Sequence, residues 1–211
     1  MWDRDNHLIK FVPGLDFTDP SYHLPHFYDL FAKWAYPEDQ EFFSKAAEAS
    51  REYLKKACHE KTGMSGEYSY YDGTPYDAPM IPGRHDWFYS DAYRTIASIG
   101  LDYEWTSKDS EFGQWERLTA NNIQRFFAED AKDNQDGIFE IDGTVVDGKA
   151  LHPVGLMATL AQASLASDGA YSKSFVEKFW NLPMRSGNRR YYDNCLYMFA
   201  MLALSGKYRI W

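Results

Sequence analysis

The chain has 211 residues, with 45% hydrophobic and 25% charged side chains, enough for one substantial core and too apolar for a disordered segment. The formal net charge is −9 and no Lys/Arg block stands out, which disfavours a nucleic-acid partner. No apolar run approaches the roughly 20 residues that span a bilayer, and the N-terminus MWDRDNHLIKF lacks the basic start and apolar stretch of a secretory signal, so neither membrane nor nucleic acid is an expected partner and the expected location is cytoplasmic.

Residues 1–24 read as irregular, with Pro13, Gly14 and the turn-like Asp19-Pro20-Ser21. A first helix is predicted from Pro25, a residue suited to the first helical position, with Phe27, Leu30, Phe31 and Trp34 as its apolar stripe. A second runs roughly from Glu38 to Cys58, with Phe42, Ala46, Ala49, Tyr53 and Ala57 at steps of four and three. Pro37 separates the two, which makes an α-hairpin. Residues 59–87 form a long loop rich in Gly, Pro and Tyr, and loops of that length are usually functional or mobile. A third helix is expected from about Ser90 to Leu101. A fourth runs from about Ser110 to Ala131, with Phe112, Trp115, Thr119, Ile123 and Phe126 on one face.

Residues 138–147 alternate around Asp142-Gly143, a hairpin signal. A fifth helix is predicted from Pro153 to Ser167, with Val154, Met157, Ala161 and Leu165 inward and Asp168-Gly169 ending it. A sixth covers about 171–180. A seventh covers 191–204, with Tyr191, Cys195, Met198 and Leu202 at helical spacing and Gly206 closing it. Cys58 and Cys195 fall inside predicted helices, far apart, and read as buried thiols rather than a disulfide framework. The chain is therefore all-α apart from one small β-hairpin. Without βαβ alternation a Rossmann or barrel α/β fold is disfavoured. Consecutive helical hairpins suggest an α/α toroid, and too few helices are present to close one.

Several chemical signatures are absent: GxxxxGK[ST], GxGxxG after a strand, HExxH, CxxC and GxSxG. His23 and His26 stand three apart, but Pro25 breaks the local geometry and a helix-start role is preferred to a metal site. No metal or cofactor is expected. Aromatic residues reach 18%, including 16 Tyr and 7 Trp. Most fill a helical core, and the surplus suits a groove in which ring faces stack on sugars. In Tyr89-Ser90-Asp91-Ala92-Tyr93-Arg94 a long loop delivers a carboxylate to the start of a helix, with a guanidinium on the same face three residues on. Simple N-capping by Ser90 or Asp91 is the commoner explanation of that spacing taken alone. His152 before Pro153, and Tyr191, Tyr192 and Asp193 at the start of the seventh helix, likewise have plain readings as helix entry, cap and core.

Taken together, WDRDNHLIKF, DPSYHLPHFYDLFAKWA, ASREYLKKACH, YYDGTP, YSDAYR, LHPVGLMATLAQASLASDG and RRYYDNCLYMFAMLALSG resemble glycoside hydrolase family 8, and most of all its reducing-end xylose-releasing exo-oligoxylanases. The resemblance runs in order from Trp2 to Trp211. It implies an (α/α)6 barrel, of which this chain would be an incomplete part with residues 1–211 as a single catalytic-domain portion. It also implies inversion at the anomeric carbon, with an acid and a base carboxyl separated by roughly 6.5–9.5 Å to admit water. Asp91 in YSDAYR matches the general base, and Arg94 an arginine that helps hold it ionised. Tyr22 in SYHLP matches a tyrosine that positions the nucleophilic water. Leu151-His152-Pro153 matches a loop closing the leaving-group side of the cleft, where His152 would hydrogen-bond the reducing-end sugar of a xylo-oligosaccharide. Tyr191 and Tyr192 match sugar-binding positions.

One departure is large. The family's general acid is a glutamate in a Glu-Gly-containing motif of the first half, and its substrate-distorting aspartate also lies there. Neither motif occurs in this chain, and nothing marks Glu67 or Glu104 as a substitute. The expected partner is thus a missing N-terminal half carrying the acid, without which inward-facing stripes would lose about 25 cal/mol per Å² of apolar burial. The alternatives are a catalytically inactive sugar-binding or interaction fragment, or an endo-acting β-glucanase or chitosanase of the same family.

Overall fold

The computed structural model describes residues 1–77 and 81–210. Seven α-helices lie among them: α1 (Pro25–Trp34), α2 (Pro37–Ala57), α3 (Tyr93–Asp102), α4 (Glu111–Arg125), α5 (Pro153–Gln162), α6 (Ser172–Trp180) and α7 (Arg190–Leu204). Two short strands, β1 (Ile138–Phe139) and β2 (Val145–Val146), pair antiparallel across the Asp142-Gly143 turn, where Gly143 adopts a φ of 98°. Local chemistry sets the boundaries. Proline opens α1, α2 and α5 at a position whose N–H has no partner to lose. Ser110 caps α4 by accepting the Gly113 N–H at 3.1 Å. Glu38 and Asp39 in the first turn of α2, and Lys55 and Lys56 in its last, complement the helix dipole.

The helices associate as α1 with α2, α3 with α5, and α5 with α6 and α7. The main core gathers Tyr53, Tyr93, Ile96, Ile123, Phe127, Phe139 and Phe175, all essentially inaccessible. Between α3 and α5 the backbones approach so closely that a Cβ on Gly100 would stand 2.8 Å from the Gln162 carbonyl. Arg51 of α2 ties three elements together, donating to Asp102 at 2.9 and 2.7 Å and to Asp29 of α1 at 2.6 Å.

Three expectations from periodicity need correction. On α1 the buried side is Pro25, His26 and Tyr28, whereas Phe31 and Trp34 are exposed. On α5 the predicted one-sided stripe gives way to burial nearly all round, through Leu156, Ala158, Thr159, Leu160 and Ala161, because α3, α6 and α7 surround it. On α7 the stripe Tyr191–Met198–Leu202 faces out, Cys195 is only half-buried, and Asp193, Ala200 and Ala203 face in. Helix ends also tighten differently: α4 passes into a π-helical turn at Phe126–Asp130 and α5 into a 3-10 turn at Ala163–Leu165. Cys58 is buried, and burial pushes its thiol up to about 12.

No helix among the described residues is long and apolar enough to cross a membrane. The 59–87 loop, apart from its undescribed residues, has little regular structure yet is packed. Residues 62–69 are buried, and Ser69 bridges to Thr18 and Pro75.

Candidate active site

Asp91 sits in the 3-10 turn Ser90–Ala92 that leads into α3. Ser90 holds a φ of 47°, a left-handed conformation costly for a residue with a Cβ, which turns the chain sharply just before the carboxylate. The Asp91 side chain is 29% accessible, neither a buried cap nor a free surface acid. Its Oδ2 lies 3.1 Å from Nη2 of Arg94, as three-residue spacing predicts. Behind it, the Asp91 N–H points at Glu67 Oε1 at 3.4 Å, and Glu67 Oε2 pairs with His85 Nδ1 at 2.5 Å. The long loop therefore backs the candidate base rather than covering it. Burial raises the Glu67 carboxyl, and its two oxygens are engaged by His85 and by the Asp91 N–H, so in this structure it supports the turn that carries Asp91.

Arg94 serves two carboxylates. The same Nη2 donates to Asp19 Oδ2 at 3.0 Å. Asp19 is fully buried and also accepts the Ser21 N–H at 2.7 Å, capping the 3-10 turn Pro20–Tyr22 that carries Tyr22. Burial raises the Asp19 carboxyl to about 7, with Arg94 opposing the rise. Asp19 was not singled out from the sequence, where Asp-Pro-Ser reads as a turn. Its partner is 75 positions away, and only its place immediately before the SYHLP motif hinted at it.

Tyr22 and Tyr192 flank the guanidinium of Arg94, their ring centres 5.6 and 6.0 Å from its carbon. The Tyr22 carbonyl accepts the Tyr28 hydroxyl at 2.6 Å. Tyr22 and Arg94 open onto a hollow of about 480 Å³, walled by Phe27, Phe31, Leu196 and Phe199. Burial raises the Tyr192 phenol above its ordinary value, with the nearby Asp91 charge adding to the rise. The Tyr192 hydroxyl is buried without a hydrogen-bond partner of ordinary geometry. The Tyr192 ring also lies 4.4 Å from that of His152, so the structure brings the YSDAYR, SYHLP, LHP and RRYYD segments into one cluster.

His152 is the N-cap residue of α5 and is buried. Its Nδ1 is 3.0 Å from Oδ2 of Asp193, whose Oδ1 accepts the Gly155 N–H at 2.7 Å. Asp193 therefore caps the neighbouring helix α5, not its own as the sequence suggested. Leu151 is half-buried, Pro153 is exposed, and the Leu151 carbonyl accepts from Arg185 at 2.7 Å. Tyr191 stands apart from the cluster. It is 82% accessible and lines a separate hollow with Arg189, Arg190, Asn194, Cys195 and Met198. Consecutive helical residues point about 100° apart, which is why only one tyrosine of the pair joins the site. His23 and His26 are both buried. His23 bonds Thr18 and Ser50, and no group of three or more potential metal ligands occurs among the described residues.

No protein-family model matches the chain. The reducing end xylose-releasing exo-oligoxylanase of Halalkalibacterium halodurans is 57% identical over all of this chain and 52% of that protein. The reducing-end xylose-releasing exo-oligoxylanase Rex8A of Paenibacillus barcinonensis is 55% identical over all of this chain and 54% of its own length. A solved structure of Rex8A complexed with xylose superposes with a TM-score of 0.94 at 54% identity, over the whole of this chain and 54% of that one. The chain thus spans about half the length of the curated relatives it matches. Over its whole extent it belongs, as a C-terminal portion, to the family of these exo-oligoxylanases, glycoside hydrolase family 8.

Proposed function

We propose that this chain is the base-carrying portion of an inverting glycoside hydrolase that releases xylose from the reducing end of xylo-oligosaccharides. In that reading residues 1–211 are one part of an (α/α)6 barrel, and the acid-bearing half is its partner. The observation that carries it is the placement of Asp91: a partly open carboxylate on a strained turn, paired to Arg94 and flanked by Tyr22 and Tyr192.

Inversion requires a base that takes a proton from water as that water attacks the anomeric carbon. Asp91 is accessible enough to receive the proton. Arg94 fixes one of its oxygens and leaves the other for water. The phenol of Tyr22 supplies a hydroxyl that orients this water, and the Tyr192 ring packs against Arg94 and His152 and lines the sugar's side of the site. His152, beside Tyr192, binds the reducing-end sugar, and Leu151 and Pro153 close the cleft beyond it. The exposed apolar side chains Phe31, Phe199 and Leu202 on α1 and α7 belong to the face on which the other half packs. Supplying the chain with the remaining portion of the 57%-identical relative is expected to yield xylose and xylobiose from xylotriose, the new xylobiose end appearing first as the α-anomer by proton NMR. A first-formed β-anomer, or cleavage of β-glucan or chitosan with xylotriose untouched, rules the reading out.

A further inference from the structure

We propose that Asp193 is a positioning residue that fixes the tautomer of His152, holding the neutral ring as Nδ1–H so that Nε2 faces substrate as a hydrogen-bond acceptor. The inference rests on the reading of His152 as a ligand of the reducing-end sugar.

Asp193 is completely buried, and its two oxygens are spoken for by groups of one kind. Oδ1 accepts the Gly155 N–H at 2.7 Å. Oδ2 accepts from Arg185 Nη1 at 2.5 Å and lies 3.0 Å from His152 Nδ1. A carboxylate has only lone pairs to offer, so the histidine nitrogen facing it must carry a hydrogen. In a neutral imidazole the other nitrogen is then an acceptor, and the sugar hydroxyl meeting it must donate. Arg185 reinforces the arrangement by also donating to the Leu151 carbonyl at 2.7 Å, which pins the loop on one side of the ring while Tyr192 packs 4.4 Å away on another.

The arrangement also dictates what an amide would do in the same place. In Asp193→Asn the Gly155 N–H still demands an oxygen, so the NH2 group is left facing His152 Nδ1. That nitrogen then accepts, Nε2 becomes the N–H, and the hydrogen bond to the sugar is reversed in polarity. The test labels only this chain with 15N-histidine, in the protein completed by the remaining portion of the 57%-identical relative, and reads which ring nitrogen of His152 bears hydrogen. Nδ1–H in the parent, Nε2–H in Asp193→Asn and at least a tenfold fall in kcat/KM on xylotriose are expected.

A parent ring protonated on Nε2, a measurement that needs no variant, overturns the proposal. So does an Asp193→Asn protein with the tautomer switched and kcat/KM unchanged. Because the new amide also faces a donor on Arg185, the double variant Arg185→Met/Asp193→Asn removes that opposition and carries the same expectations if the single variant folds poorly. If the parent shows Nδ1–H and the variant Nε2–H while the parent leaves xylotriose intact, the hydrolase reading fails and the tautomer assignment stands.

Discussion

Replacing Asp19 with asparagine is expected to stabilise the protein at alkaline pH while impairing the site. Asp19 is wholly inaccessible, and its carboxyl moves from 3.8 in the open chain to about 7 in the fold, chiefly through burial and despite the Arg94 guanidinium 3.0 Å away. The sign follows from proton binding. Below about pH 4 both folded and unfolded chains hold the proton, and ionisation costs the fold nothing. Between about pH 4 and 7 the unfolded chain releases the proton first, so stability falls as pH rises. Above about pH 7 the fold carries the full cost of a buried carboxylate, about 4 kcal/mol at roughly 1.4 kcal/mol per tenfold change.

Asparagine keeps an oxygen for the Ser21 N–H and has no proton to lose. Its advantage should therefore be near zero at pH 4 and on the order of 3 to 4 kcal/mol at pH 8, a shift in urea midpoint of about 1 to 2 M. Turnover in the completed enzyme should fall, because Arg94 loses one of its two anchors. A difference in urea midpoint that is the same at both pH values would refute the reasoning. A stability cost retained for the sake of a site is a common reason for a buried charge to persist.

Other consequences follow from the same contacts. Arg94→Met removes the cation opposing the rise of the Asp19 carboxyl, so the loss of stability, which still begins near pH 4 where the unfolded chain ionises, should extend to higher pH and grow larger in a urea series, and xylotriose turnover in the completed enzyme should drop at least 100-fold. Gly100→Ala drives a methyl to within 2.8 Å of the Gln162 carbonyl and is expected to cost about 1 to 3 kcal/mol in chemical unfolding; an unchanged midpoint would show that α3 and α5 separate freely. Phe175→Ala, at a fully buried position in the main core, should cost about 3 to 5 kcal/mol by the same assay. Tyr22→Phe should leave stability within about 1 kcal/mol yet lower kcat more than it changes KM, the signature of a group that places water rather than sugar.

Much of this architecture was legible in the chain itself. Pro25 and Pro153 announced helix starts, Pro37 the break between the first two helices, Asp142-Gly143 the hairpin, and the three-residue step from Asp91 to Arg94 their pairing. What was lost has a physical reason. On α7, apolar residues occur on every side, since Leu196, Tyr197 and Phe199 interleave with Cys195 and Met198. A helical period then fits more than one stripe and does not say which one finds a partner. Asp19 reads as part of an Asp-Pro-Ser turn and Asp193 as a cap of its own helix, and nothing in local spacing shows a contact with Arg94 or with His152 on another element. The identity of the carboxylate as a base came from resemblance. Its pairing with Arg94 follows from spacing and resemblance, while its backing by Glu67 and, through Arg94, by Asp19 shows only in the fold.

The sharpest test of the assignment is the single-turnover rate on xylotriose of the completed enzyme with and without Asp91→Asn. A fall of at least a thousandfold with the fold intact, partly restored by azide acting as a small nucleophile, is the expected result. An Asp91→Asn protein hydrolysing at the parent rate would show that the proton leaves water for some other group, and the site described above would not be the catalytic one.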